Sequence, residues 1–251
     1  MTEHPCAKAS GQAPAVAEAA RAWFDTPMGQ QLLRQEQRVL GEALERCFGS
    51  YLVHCGPFAG EPLVSQKIKR SVRLGAPMPG VEIQCDEQAW PIGEHAADVV
   101  VLQHALDFCA SPHGLLREAA RSVRPGGHLL VVGVNPWSLW GARHLTACDG
   151  FRQARCIRAS RVGDWLNLLG FALENRRFGC YCPPLSSSDW QARLARLDDI
   201  GHRLQAPTGG FYLLMARKLM IGLRPLRKER RERMGKLLPM PVAKVSRRNA
   251  E

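Results

Sequence analysis

The sequence predicts an α/β fold: a doubly wound, mostly parallel sheet of about seven strands with helices on both faces. Three observations predict it. The run ADVVVL at Ala97 to Leu102 is unbroken and β-branched, the pattern of a strand covered on both sides. Helical spacing follows over Pro112 to Val123, and Pro125, Gly126 and Gly127 end it before a second apolar run, HLLVVGV, at His128 to Val134. Along the rest of the chain short apolar runs alternate with helical stretches, which is the order of a sheet built from strand–helix–strand units.

Taken in order, residues 1 to 20 are polar or alanine-rich and are expected to form a disordered lead. Thr26 can cap a helix with Pro27 at its first position, and Leu32, Leu33, Val39, Leu40, Ala43, Leu44 and Phe48 form one apolar stripe, so a helix is predicted from about 27 to 48. Tyr51 to Cys55 reads as a strand running into a tight loop that contains Gly56, Pro57 and Gly60. Ile68 to Leu74 and Val81 to Cys85 are weaker strand candidates. Beyond the central unit, Trp165 to Leu169 closes a helix at Gly170, Phe171 to Phe178 and Gly210 to Ala216 read as strands, and a Ser-capped amphipathic helix is expected from about 187 to 204. No internal repeat is visible.

With 251 residues, 45% hydrophobic and 23% charged, the chain can bury one sizeable core, and collagen-like or wholly disordered classes are excluded. The first twenty residues lack the apolar stretch of a secretory signal, and no later run approaches the roughly 20 apolar residues of a membrane span. Nine cysteines, an odd number scattered over the chain, do not make a disulfide framework, so a cytoplasmic location is expected. No C-x-x-C pair occurs, and no metal site is expected. Of the +11 net charge, residues 222–251 hold ten Arg or Lys against three Glu. That segment is expected to be a mostly disordered basic tail after a domain of residues 21–221. It either samples RNA or an anionic surface through phosphate attraction, or serves only to keep the chain soluble. The sequence does not specify an oligomeric state.

In open doubly wound sheets the ligand lies beyond the carboxyl ends of the strands, where strand order reverses. The loop after the first strand, His54 to Gly60, is therefore the first candidate, with Gly56 and Gly60 letting backbone approach a ligand; it does not match G-x-G-x-x-G. The segment from Cys85 to Pro136 then carries Asp86, Trp90-Pro91-Ile92, Asp98-Val99-Val100 and Arg124-Pro125-Gly126-Gly127. In that order these resemble the core of class I S-adenosylmethionine-dependent methyltransferases of the type-11 branch, over roughly residues 20 to 220. Phe24 to Gly29 and Asn135 to Leu139 further resemble a small bacterial group, the YafS-like proteins.

The resemblance implies a Rossmann-like class I methyltransferase sheet, S-adenosylmethionine as cofactor and methyl transfer to an acceptor that the sequence does not identify, a small molecule being favoured. It places Gly56 and Gly60 on the cofactor loop, Asp86 against the adenine amino group with Glu87 adjacent, and Trp90 against the adenine ring or beneath the turn in the core. Gln103 is expected at the cofactor. His104 stands where it either removes a proton from the acceptor or forms a hydrogen-bonded wall, while Asp98 is expected to be scaffold. One departure stands out: the family's ribose-binding carboxylate at the end of the second strand has no counterpart, since IKRSVRLG supplies Lys69, Arg70 and Arg73 but no acid. A non-catalytic binding or scaffold protein on the same fold is therefore the alternative.

Overall fold

The computed structural model describes residues 12–57, 63, 65–184, 201 and 203–220. Gly60, most of the helix expected over 187 to 204, and the basic tail lie outside the described residues. Helix α1 spans Gln12–Phe24 and so begins inside the stretch expected to be a disordered lead. Alanine has the highest helix propensity, and Ala20, Trp23 and Phe24 give this helix a buried face. Helix α2, Pro27–Leu44, starts as expected: the Thr26 hydroxyl accepts from the Gly29 N–H at 3.2 Å and Pro27 occupies the first turn. It stops earlier than expected, because Arg46 and Cys47 bond to the carbonyls of Ala43 and Leu44, tightening the last turn. Phe48, counted in the apolar stripe, is left exposed.

Seven strands follow: β1 Gly49–Cys55, β2 Ile68–Gly75, β3 Ile83–Gln84, β4 Ala97–Gln103, β5 Val123–Val134, β6 Phe171–Gly179 and β7 Phe211–Lys218. They form one sheet in the order β3-β2-β1-β4-β5-β7-β6, parallel except for β7, which runs antiparallel to both of its neighbours. The order reverses between β1 and β4. β3 is only two residues long, shorter than the Val81 to Cys85 expected, and β5 begins at Val123, taking in the Pro-Gly-Gly turn residues.

Helices α3 (Pro112–Ser122), α4 (Leu139–Thr146) and α5 (Ala159–Leu168) complete the architecture. Alternating side chains feed two cores. Leu52, Val99, Val101, Leu130 and Val132 face α1 and α2, while Val53, Val100, Leu102, Leu129 and Val131 face α3 and α5. At a register shift in β4, Asp98 turns its Oδ2 to the N–H groups of Ser50 (2.6 Å) and Tyr51 (2.8 Å) and its Oδ1 to Arg124 (2.7 Å). That carboxylate ties the starts of β1, β4 and β5 together, far from the carboxyl ends where a ligand would sit.

Candidate active site

The sheet leaves a cleft of about 660 Å³ at the carboxyl ends of β1 to β4, over the point of strand-order reversal. Its walls come from four turns. Gly56 and Pro57 leave β1, Ala76 to Met78 leave β2, Cys85 to Trp90 leave β3, and Phe108 to Ala110 follow β4. Ala17 of α1 also reaches the cleft, so the amino-terminal helix forms part of the site.

The structure brings together four of the expected residues: Gly56, Asp86, Glu87 and Trp90 all line this cleft. Asp86 is exposed, and its Oδ1 accepts from the Gln88 N–H at 3.0 Å, a local turn that fixes the carboxylate at the rim. Glu87 is more committed. It accepts from the Ala110 N–H at 2.9 Å and the Ser111 N–H at 3.3 Å, pinning the turn after β3 to the start of α3, and burial pushes its carboxyl above the usual range against those donors. Trp90 is 5% exposed, so its ring is chiefly a wall packed into the core beneath the turn.

Three thiols, Cys55, Cys85 and Cys109, also line the cleft. Burial raises Cys55 to about 12 and Cys85 to about 11, and Cys109 upward as well, so near neutral pH they are apolar lining and not nucleophiles.

Gln103 and His104 are not among the residues lining the cleft, which departs from the cofactor contact expected of Gln103 and from the base, but not the hydrogen-bonded wall, expected of His104. Gln103 is 1% exposed; its Nε2 donates to Glu36 Oε2 at 2.7 Å, and its Oε1 lies 3.2 Å from His54 Nε2. His104 is fully buried, with Nε2 2.6 Å from Glu36 Oε1 and Nδ1 2.9 Å from Asp107 Oδ2. Burial alone would lower its pKa, but the two carboxylates outweigh it and raise the imidazole to about 10. A ring that is already protonated, with both nitrogens spent, cannot take a proton from an acceptor. His104 also adopts φ +54°, a left-handed conformation that non-glycine residues rarely hold unless their surroundings enforce it.

The outcome is a buried polar chain, His54, Gln103, Glu36, His104 and Asp107, running under the ends of β1 and β4 and reaching β5 through the bond from the Val134 N–H to Asp107 Oδ2 at 2.9 Å. Glu36 was missed from sequence. Its signal was there: an acid four residues after Leu32 and four before Leu40, in the middle of the apolar stripe of α2.

The end of β2 supplies Gly75, Ala76, Pro77 and Met78 to the cleft and no acid, so the departure seen in sequence holds in space. In other respects the donor set suits a nucleoside: an apolar slot, a small residue at the β1 turn and a rim carboxylate after β3.

A seven-stranded sheet of this order, with an antiparallel seventh strand and a cleft at its switch point, defines the Rossmann-like class I methyltransferase fold. A methyltransferase-domain family profile matches residues 63–131. The uncharacterised protein YafS of Escherichia coli is 31% identical over 161 residues, covering 62% of this chain and 67% of that one. An uncharacterised Mycobacterium tuberculosis protein is 26% identical over 194 residues, 73% of this chain and 67% of that one. Among solved structures, an S-adenosylmethionine-dependent methyltransferase of Thermotoga maritima, a possible histamine N-methyltransferase, superposes with a TM-score of 0.52 at 14% identity, covering 85% of this chain and 96% of that one. A Haloferax volcanii chain described as a methyltransferase, in complex with the Trm112 methyltransferase activator, gives 0.53 at 14% identity, covering 83% and 98%. The chain belongs to the class I methyltransferases of the type-11 branch, with YafS among its relatives.

Proposed function

We propose that the protein transfers a methyl group from S-adenosylmethionine to an acceptor not yet identified, a small molecule being favoured, in the cytoplasm. The observation that carries this reading is the cleft over the switch point, closed by Gly56 on one side and by the Asp86 turn on the other. When bound, the cofactor supplies a methyl group on a sulfonium, which leaves to an acceptor lone pair.

The chain's own residues do the rest. Gly56 lets backbone approach the ligand, Asp86 accepts from the adenine amino group, and Trp90 with Pro57 excludes water from the base. Glu87 positions the Asp86 turn through its bonds to the start of α3. The polar chain from His54 to Asp107 holds the loop after β4 from beneath, so the role left to His104 is the wall and not the base. Positioning can supply much of the rate in such a transfer.

Titration calorimetry with S-adenosylmethionine and S-adenosylhomocysteine tests the reading: binding of both is expected, and absence of binding at millimolar ligand would overturn it. The second reading, a non-catalytic protein on this fold, is favoured by one observation, the lack of an acid among the cleft residues at the end of β2, and would be supported by that same negative result.

A further inference from the structure

Nine large apolar side chains are exposed among the described residues, and three of them, Trp137 (66% exposed), Leu139 (57%) and Leu145 (76%), fall within nine consecutive positions on and just before α4. This clustering is what marks an interaction surface; single exposed leucines elsewhere need no explanation. Trp140 and Gly141 of α4 are buried, Arg143 and His144 turn to the segment of Asp149 and Arg152, and Leu139 and Leu145 are left outward.

The same stretch is basic. Residues 137–161 hold Arg143, Arg152, Arg155, Arg158 and Arg161 against one acid, Asp149, which pairs with Arg143 at 2.8 Å and leaves the other four arginines in excess. Cations lie beside both ends of this stretch. The Arg158 guanidinium lies 4.8 Å from the Trp137 ring centre, and Arg152 bonds the Ala147 carbonyl at the far end of α4 while its own carbonyl meets His144. Arg155 carries the surface to the mouth of the cleft: its Nη2 donates to the carbonyl of Ala110, a residue of the cleft wall.

We propose that the α4 face and the arginines around it dock on an anionic lipid surface. Charge selects the occupant. An indole and two leucines set among arginines match the apolar boundary and anionic headgroups of a membrane interface, where aromatic rings and basic side chains sit side by side. RNA would use the arginines and the Trp137 ring but would leave the exposed leucines unused.

The test uses the full-length chain with vesicles of phosphatidylcholine alone or mixed with phosphatidylglycerol, read by co-sedimentation, beside cofactor titration. Binding to the mixed vesicles, weakening as salt rises, is expected. The double variant Trp137→Ser, Leu145→Ser should bind them at least about tenfold more weakly, as should Arg158→Glu, with cofactor affinity unchanged in both variants because none of the three residues lines the cleft. Equal binding by the variants would overturn the proposal, since the basic tail would then be the sole contact. So would no binding to mixed vesicles, a dimer that buries Trp137 in solution, or a preference for RNA over vesicles that the double variant keeps. Vesicle binding without cofactor binding would instead sink the methyltransferase reading and leave the docking face standing.

Discussion

Two histidines at opposite parts of one polar chain, fifty positions apart in sequence, are driven to opposite states by their surroundings. Burial, aided by the Arg73 guanidinium, lowers His54 to about 3, whereas two carboxylates carry His104 to about 10 against its burial. Between pH 3 and 6.5 the unfolded chain binds a proton at His54 that the native state refuses, so stability rises with pH. Between pH 6.5 and 10 the native state keeps a proton on His104 that the unfolded chain releases, so stability falls. Urea unfolding across pH should therefore show a maximum near 6.5, and His104→Asn, which tolerates the left-handed backbone, should flatten the alkaline limb; an unaltered limb would mean another group sets it. Glu36→Ala leaves a buried imidazolium with one carboxylate fewer and should cost about 3–5 kcal/mol in the same assay. Asp86→Ala should leave stability alone but weaken cofactor binding by about 1–3 kcal/mol in calorimetry, and unchanged affinity would move the adenine site elsewhere. At this scale the sequence was readable only where a residue sat inside a pattern. Asp86 and Trp90 were singled out because the turn before β4 resembles the methyltransferase pattern, and Asp98 because an acid in such a strand must find backbone partners. The fate of Gln103 and His104 depended on Glu36, a residue 67 positions away from Gln103, which no local spacing reveals.

Among the elements, the central strands were legible because a strand covered on both faces has no room for polar alternation, and the helix between β4 and β5 because helical spacing runs from Pro112 until the Pro-Gly-Gly turn stops it. Helix α1 was not, since an alanine-rich segment without acids in its first turn reads alike as coil or helix until something packs against it. Its partner is the 3₁₀ turn Gly150–Gln153: the Trp23 ring stacks on Phe151 with centres 4.5 Å apart, and a Cβ at Gly150 would run into the Ala19 carbonyl oxygen. Gly150→Val should therefore push α1 outward. A loss of about 1–3 kcal/mol in thermal unfolding is expected, together with faster hydrogen exchange over residues 15–24. Because Ala17 lines the cleft, the same variant should also weaken cofactor binding, and normal exchange in α1 would show that the helix is held by other contacts.

For the whole molecule, the question is where the folded body ends. Lys218, the last residue of β7, donates to the carbonyls of Ala120 (2.6 Å) and Val123 (2.8 Å), fastening the close of the sheet to the turn between α3 and β5. A chain cut after Gly222 keeps that fastening, so cofactor affinity should be unchanged, and if the tail recruits RNA, retention on RNA at low salt should be lost with its charge; equal RNA binding by the cut chain would leave the tail without that role, and loss of cofactor would place the boundary farther along. The strand order itself bears on how the protein is made. β7 is the last strand in the chain, yet it lies between β5 and β6. A ribosome adding about 5–20 residues per second needs roughly 4–15 s to pass from the end of β5 to the start of β7. Throughout that interval the run Leu129 to Val134, the most apolar edge of the growing sheet, has no neighbour on its outer side. The newborn chain therefore waits with an open, adhesive strand, and what shields it for those seconds is decided by translation speed and chaperone supply.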